Sequence, residues 1–437
     1  MAETEISTTT ERVPEAPTGP TQRRSFRDTL RSAEIDGRLA GMLAALAIIW
    51  IVFQIVTPNH TFLTSRNLWN LSVQTSVVAI MATGMVLIIV ERHIDLSVGA
   101  VMALVGMVMG AFQSDFLPEA LRFDHPLTWV ITLALGLVLG AAIGAFQGVI
   151  VAYVGVPAFI VTLGGLLVWR GLAWRVASGQ TIAPMDSNFR LLGGGADGSI
   201  GGTWSWVVGL AACVGIVALQ LMKRRQRARY GFRLRPVWAE VAMGAVSCGA
   251  VLAAIWFLNR YYLPAGIVER RGLPPGSNVS QGLAIPVLIA LGVAVVMTFI
   301  ATRRRFGRYV YAIGGNPEAA ELAGIRTKMT VVKTFSLMGL LVGLAAAVQI
   351  ARLNAAVSSL GTNMELNVIA AAVIGGTSFT GGVGTIAGAV LGAVVMQSLV
   401  SGMVLMGVEA PLQDVVVGIV LVIAVTLDTI VRRRATR

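Results

Sequence analysis

The sequence predicts an all-α protein that crosses a membrane many times. Of its 437 residues, 55% are hydrophobic and only 13% are charged, and the mean hydropathy is +0.76. Uncharged runs of about 18 residues recur along the chain, which is the length that a helix needs to cross a hydrocarbon core about 30 Å thick. Lysine and arginine cluster between these runs, so the net charge of +12 is explained by the cytoplasmic excess of basic residues and not by nucleic-acid binding.

Four basic clusters set the predicted topology. They lie at residues 23–38, 223–235, 303–333 and 432–437, and the positive-inside rule places all four in the cytoplasm. The number of crossings between any two clusters must therefore be even. Under this condition the uncharged runs predict about twelve membrane-spanning helices, at residues 39–56, 73–90, 96–112, 127–154, 156–177, 204–222, 237–258, 284–302, 330–350, 366–380, 382–404 and 411–431.

The ends of the chain and one short run complete the predicted organisation. Residues 1–37 are rich in Thr, Pro, Glu and Arg, so we expect a disordered cytoplasmic tail without a cleavable signal peptide. The membrane domain is expected at residues 38–432, with a second cytoplasmic tail at 433–437. Because the run at 366–380 is short for a full span, it is predicted to be a half-helix or a re-entrant segment.

Two of the runs carry glycine at a spacing of four, which places the glycines on one bare helix face that a neighbouring helix can approach closely. If the second to fifth runs form one four-helix unit and the ninth to twelfth runs form another, each stripe falls on the third helix of its unit, and the two units start from opposite sides of the membrane. The pattern predicts an inverted-topology repeat with an inserted helix pair, although glycine-rich membrane helices are common enough for chance to explain it. The helix-packing residues are Gly136, Gly140, Gly144 and Gly148 in the fourth run and Gly384, Gly388 and Gly392 in the eleventh.

The polar segment GGNPEAAELAGI, residues 314–325, carries the signals of a short cytoplasmic helix. Asn316 suits the N-cap, Pro317 the first helical position and Gly324 the left-handed residue after the last turn. A helix over residues 317–323 is too short to be stable alone, so it must pack on something. Its partner is either another protein or, as a simpler alternative, the membrane surface, with the neighbouring arginines on lipid phosphates.

Four stretches of the chain resemble one family. Residues 303–329, RRRFGRYVYAIGGNPEAAELAGIRTKM, are similar to the cytoplasmic loop of permease subunits of bacterial ATP-binding-cassette sugar importers of the ribose and xylose type. HIDLSVGA at 93–100 is similar to the family's Gly-Ile-Asp-Leu-Ser-Val-Gly signature, with His93 in place of the usual glycine. PAFIVTLGGLLVWRG at 157–171 matches the stretch that opens the fifth span, and ELNVIAAAVIGGTSFTGGVGTIAGAVLGA at 365–393 resembles the longest signature.

The resemblance implies a permease of the bacterial inner membrane, with both termini in the cytoplasm, whose loop at 303–329 docks on a separate ATPase subunit. ATP and Mg²⁺ are expected on that partner and no cofactor on this chain, which lacks the Gly-Lys-Ser/Thr of a phosphate-binding loop. The other implied partners are an extracytoplasmic sugar-binding protein, a second copy of the permease and membrane lipid. The pair at 204–258 is an insertion that the xylose type shares, so xylose is the expected cargo. The implied ATPase-coupling residues are Gly314, Gly315, Asn316, Pro317, Glu318, Ala319, Ala320 and Gly324.

Two polar interruptions of the apolar pattern are candidates for the transport pathway. Asp95 and Ser97 lie where two runs meet, and they predict either a helix break beside the pathway or a cytoplasmic turn whose charges pair with each other or with lipid. The glycine-rich segment 375–384 contains Thr377, Ser378 and Thr380 and cannot be a regular lipid-facing helix. It is predicted to line the pathway or to form a tight helix crossing.

The remaining charged residues discriminate weakly between classes of transporter. Arg170 and Arg175 are expected to extend towards the outer surface, and Arg352 and Glu365 are expected to flank an external loop as a solvated pair. No spacing of histidine, cysteine or carboxylate residues indicates a metal or catalytic site. An ion-coupled secondary sugar transporter is the alternative function, and it needs an ionisable residue near mid-membrane, whereas Asp95 and Glu365 are expected near span ends.

Overall fold

The computed structural model describes residues 37–435, apart from residues 123, 233, 235 and 275. Within these residues the protein is helical, with isolated β-bridges in place of strands. The predicted all-α class is therefore confirmed. The predicted N-terminal tail lies outside the described residues except for Gly37, as do the last two residues of the predicted C-terminal tail.

The principal helices are numbered here in chain order. Two of them extend through a π-helical turn, α3 at Phe112–Phe116 and α4 at Ile150–Val154. The bounds are α1 (Gly37–Val56), α2 (Ser65–Val90), α3 (Val98–Ala111), α4 (Thr128–Val149), α5 (Ala158–Val176), α6 (Gly201–Arg229), α7 (Val237–Asn259), α8 (Ile285–Arg303), α9 (Arg305–Gly315), α10 (Pro317–Leu322), α11 (Thr327–Leu353), α12 (Met364–Ile374), α13 (Ile386–Leu405) and α14 (Ala410–Ala435).

Each predicted run contains a helix in the structure, and the runs at 366–380 and 382–404 are interrupted by the non-helical residues 375–385. Among the described residues, nine helices are long and apolar enough to cross a membrane: α2 to α8, α11 and α13, with α3 and α4 counted together with their extensions. The apolar parts of α1, α12 and α14 are shorter than the others. The exact number of crossings, about twelve, stays a prediction.

Helix starts follow local chemistry. The Thr64 side chain accepts a hydrogen bond from the Asn67 N–H at 3.4 Å at the start of α2, and Thr385 accepts one from the Gly388 N–H at 3.1 Å at the start of α13. Pro157 is the residue immediately before α5. Each of these caps satisfies or removes a backbone N–H that has no partner within its helix.

The core of the bundle is built around α2 and α11, which pack against each other. Helix α11 also packs against α3 and α4, and α2 also packs against α8, α12 and α13. Of the most apolar part of α2, 94% is buried. The inserted pair α6 and α7 lies at the periphery, where an ion pair at 2.6 Å joins Arg224 and Glu240. This hairpin is attached to the core mainly through contacts of α7 with α2.

The pairwise packing of the two predicted units is reciprocal. The third helix of the first unit, α4, packs on the first helix of the second unit, α11, and in the same way α13 packs on α2. Likewise α3 contacts α11, and α12 contacts α2. This pattern is the one expected of two units related by an inverted repeat, and the repeat itself stays a prediction.

The glycine stripes are close-contact faces, as predicted. A Cβ at Gly140 would collide with the backbone carbonyl of Gly339 in α11, and a Cβ at Gly339 would collide with that of Gly140. A Cβ at Gly392 would collide with the carbonyl of Ala371 in α12. The first stripe therefore holds α4 against α11, and the second holds α13 against α12, because backbone meets backbone without an intervening side chain. Gly144 and Gly148 continue the first contact against Phe335 and Val332, and Gly388 continues the second against Gly375. Gly136 instead meets Met109 of α3, and Gly384 meets Val90 of α2.

Candidate functional site

The segment between α2 and α3 is a buried, non-helical break. Asp95 is 4% exposed, and its Oδ1 atom accepts hydrogen bonds from the N–H of Ser97 at 2.8 Å and from its hydroxyl at 2.6 Å. The Ser97 hydroxyl also accepts a bond from Nε2 of Gln147 in α4 at 3.0 Å. The break is therefore held to α4 by a chain of side-chain hydrogen bonds, which places Asp95 inside the bundle.

Gln147 is a member of this site that the sequence reasoning missed. It lies between Gly144 and Gly148 on the fourth run and is 2% exposed. An amide in the middle of an apolar run is costly unless it finds a partner. Its position in an apolar run, next to the glycine stripe, could have identified Gln147 as a buried, hydrogen-bonded residue from the sequence alone.

Helix α12 begins inside the protein, next to the start of α3. A Cβ at Gly99 would collide with the carbonyl of Gly361 and with Oε2 of Glu365. The 11 residues of α12 span about 16 Å. A similar rise separates Gly99 from Gly110, which contacts Ala356 on the predicted external side. The two helices thus start about midway between the two ends of the bundle.

The chain between α11 and α12 runs from the end of the bundle inwards to the place where α3 and α12 start. Ala356 forms a backbone bridge with Ile182, Leu360 contacts Gly106, and Gly361 contacts Gly99. A segment that runs this deep leaves carbonyl groups without partners unless side chains supply them. Helix α12 has the length of a half-helix, and the half-helix or re-entrant segment at 366–380 stays a prediction. We call residues 354–363, which precede α12, the re-entrant segment.

Arg170 supplies two of the missing partners. Its Nη1 atom donates hydrogen bonds to the carbonyls of Leu360 at 2.6 Å and of Ser358 at 3.2 Å. The expectation that Arg170 extends to the outer surface is wrong, because the re-entrant carbonyls turn it inwards. Arg175, five residues later, is exposed.

Glu365 is also placed differently from the expectation. It is 8% exposed and lies in the first turn of α12. Its carboxylate interacts electrostatically with Arg170 and Asp95. Within the described part of the chain, its Oε2 atom has no hydrogen-bond partner. The predicted solvated pair with Arg352 is therefore wrong, and the expectation that Asp95 and Glu365 lie near span ends is wrong as well.

The segment 375–385 between α12 and α13 is non-helical, as predicted. Thr377 and Ser378 are fully buried, whereas Thr380 is exposed and its hydroxyl lies 2.8 Å from that of Ser378. The Gly382 N–H donates to the carbonyl of Val90, the last residue of α2, at 3.0 Å. In this conformation Thr377 and Ser378 pack within the bundle, and their role in a pathway stays a prediction.

The loop at 303–329, which is predicted to be cytoplasmic, folds as two consecutive helices. Amphipathic α9 buries Val310 and Ile313 and exposes Arg305 and Arg308. After it the Asn316 side chain accepts a bond from the Ala319 N–H at 3.0 Å and begins α10. The helix bounds of Pro317–Leu322 and the positive φ of Gly324, +81°, confirm the predicted short capped helix.

The outer face of α10 presents an apolar side chain. Leu322 is 90% exposed, and Glu318 and Ala319 beside it are exposed as well. Ala320 is 4% exposed, so it packs on the protein itself and is not available to a partner. Sequence reasoning named Ala319 and Ala320 as coupling residues and missed Leu322, because a single leucine in a short polar segment gives no sign that it faces outwards.

Three segments meet on the predicted cytoplasmic side, at a point that we call the junction, formed by residues 90–92, 311–315 and 381–384. Arg92 donates from Nε to the carbonyl of Gly314 at 2.8 Å and from Nη2 to that of Gly315 at 2.7 Å. The Tyr311 hydroxyl donates to the carbonyl of Gly384 at 2.7 Å. The junction therefore joins the end of α9, the end of α2 and the glycine-rich break.

The comparisons with known proteins agree with these features. Residues 67–425 match the family described as "Branched-chain amino acid transport system / permease component". The chain is 38% identical over 394 residues to the xylose transport system permease protein XylH of Escherichia coli, covering 90% of this chain and 92% of that protein. It is 37% identical to the protein of the same name from Haemophilus influenzae, covering 89% and 95%. It is 32% identical to the ribose import permease protein RbsC of Escherichia coli, covering 88% and 92%. No solved structure matches.

Proposed function

This chain belongs to the family of transport-system permease components, and we propose that it forms the membrane pathway of an ATP-driven importer that carries xylose into the cytoplasm. Relatives 38% and 37% identical over most of the chain are named as xylose permeases, and a ribose permease is 32% identical. The peripheral hairpin of α6 and α7 corresponds to the insertion that the sequence resemblance associates with the xylose type. These likenesses support a pentose, and xylose in particular, as the cargo.

The observation that carries the ATP-driven mechanism is the exposed tip of α10. A helix of 6 residues is too short to be stable by itself. This one is capped and is packed on the bundle through Ala320, and its last residue, Leu322, is 90% exposed. An apolar side chain presented in this way fits a pocket on another protein. We assign that pocket to an ATPase subunit that binds ATP and Mg²⁺.

The proposed mechanism is alternating access. ATP binding draws two ATPase subunits together, and the docked α10 helices move with them, so that a pair of permease chains changes the side to which the pathway is open. The breaks at 91–97 and 375–385 lie where helices can change direction without exposing backbone groups to lipid. An extracytoplasmic binding protein would select the sugar, so the pathway itself needs only weak polar contacts.

The test is to purify the tagged protein from its native membrane in mild detergent and to reconstitute it with the chains that accompany it. We expect an ATPase subunit, vanadate-sensitive ATP hydrolysis that rises with xylose-loaded binding protein, and uptake of labelled xylose into proteoliposomes. A complex without an ATPase, under conditions that preserve other membrane assemblies, would contradict the proposal.

One observation favours a second candidate, an ion-coupled secondary transporter. Asp95 and Glu365 are buried at mid-depth, where such a transporter needs an ionisable group. The two mechanisms differ in their energy source. Uptake that survives vanadate and stops when a protonophore collapses the proton gradient would support ion coupling, whereas the reverse pattern supports the ATP-driven importer.

A further inference from the structure

Arg92 holds an unusual position at the end of α2. Its φ angle is +65°, in the left-handed region that residues other than glycine and asparagine rarely adopt. Such a conformation persists only where surrounding contacts impose it. Here the guanidinium donates hydrogen bonds to the carbonyls of Gly314 and Gly315, the last two residues of α9. A cation that bonds the free carbonyls at a helix C-terminus is stabilising there.

Arg92, although exposed, also contacts the glycine-rich break. A Cβ at Gly381 would lie 2.5 Å from Cγ of Arg92 and 2.5 Å from the carbonyl oxygen of Gly314. The next residue, Gly382, donates its N–H to the carbonyl of Val90. The Arg92 side chain therefore lies between the end of α9 and the break that precedes α13.

On its other side, Arg92 leads directly to the start of α3. Asp95 follows three residues later, and its carboxylate holds Ser97, whose hydroxyl accepts a hydrogen bond from Gln147 of α4. A continuous series of hydrogen bonds and backbone therefore connects α9 and α10 to the start of α3, and a movement of these two helices can be transmitted along it. Coupling of this kind needs contacts that bias both ends of the path.

We propose that Arg92 is the positioning residue that transmits movement of α10 to the break at 91–97, and that it thereby sets how much sugar is moved for each ATP hydrolysed. The inference rests on the proposed function. It goes beyond it by naming the residue through which the cytoplasmic helices act on the membrane break. Arg92 touches neither the sugar nor the nucleotide in this role.

The test compares Arg92→Gly with a matched control, Arg122→Gly. Arg122 has the same φ angle of +65° and follows the short helix Leu117–Leu121 that extends α3 on the opposite, predicted external side. Glycine relaxes the backbone at both positions. At position 92 this relief offsets the two hydrogen bonds that the variant loses, so neither variant is expected to unfold at a markedly lower temperature. The complexes are reconstituted with the ATPase subunit and the binding protein, and xylose uptake and phosphate release are measured on the same proteoliposomes.

For Arg92→Gly we expect the ratio of xylose moved to ATP hydrolysed to fall about tenfold, within the usual range of coupling between distant sites. Arg122→Gly is expected to keep the ratio of the unmodified protein. Arg92→Lys keeps the charge but loses the paired donors. Its ratio is expected to lie between that of Arg92→Gly and that of the unmodified protein. Gly381→Ala is expected to lower it, because the added methyl displaces an unaltered Arg92.

An unchanged ratio in Arg92→Gly would overturn the inference. Loss of the ATPase subunit from Arg92→Gly complexes would overturn it too, because Arg92 would then be a docking contact and not a positioning residue. Failure of the proposed function is a separate result, since the unmodified protein itself would then show no uptake that depends on ATP.

Discussion

Replacement of Leu322 by alanine is the most direct test of the docking helix. The side chain is 90% exposed, so its removal takes almost nothing from the folded permease, and the unfolding temperature is expected to stay the same. Burial of a leucine at a partner surface contributes about 1.5–3 kcal/mol. A loss of about 2 kcal/mol corresponds to binding that is about 30-fold weaker.

The assay is a titration of the purified ATPase subunit against the permease in nanodiscs, with a fluorescence readout of binding. Leu353→Ala is the matched control, because Leu353 is 46% exposed at the opposite end of α11 and away from α10. We expect its affinity for the ATPase to equal that of the unmodified protein. If Leu322→Ala binds within about threefold of the unmodified protein, or if it unfolds at a lower temperature, the assignment of Leu322 to a docking surface is wrong.

Three further predictions concern the membrane domain. Gly140→Ala is expected to lower the free energy of unfolding in detergent by about 1–3 kcal/mol, because the methyl meets backbone, whereas Gly164→Ala, with open space around it, is expected to be neutral or stabilising. Arg170→Met leaves two re-entrant carbonyls without donors and is expected to lower that free energy by about 2–4 kcal/mol, whereas the exposed Arg175→Met is expected to be neutral. Glu365→Gln is expected to keep ATP-driven uptake, and loss of uptake at normal expression and ATP hydrolysis would instead support an ion-coupled role for this carboxyl group.

The features that could be predicted from sequence are those that depend on neighbouring residues. The helices follow from apolar runs, and the cap at Asn316 follows from side-chain chemistry within three residues. The glycine stripe of α4 could be predicted because its four members repeat at a fixed spacing. Its partner face on α11, with Gly339 and Gly343, carries the same spacing but only two members, and it was overlooked for that reason.

The features that could not be predicted depend on residues far apart in the chain. Asp95 and Glu365 approach each other because α12 begins at the end of a re-entrant segment, and a run of 11 helical residues does not reveal the depth at which it starts. Arg170 turns inwards because the re-entrant carbonyls need donors, and those carbonyls belong to residues 358 and 360. Each of these placements is a consequence of tertiary packing that overrides the usual preference of charged side chains for the surface.

The two acidic residues at mid-depth have a structural explanation that does not require ion coupling. Asp95 accepts the N–H of Ser97 at the start of α3, and Glu365 lies in the first turn of α12, so each carboxylate is next to the positive end of a helix dipole. Arg170 adds a positive charge near Glu365. Two helices that begin inside a membrane must place their unpaired N–H groups there, and acidic side chains stabilise such ends. The acidic pair is therefore a consequence of starting α3 and α12 next to each other inside the bundle.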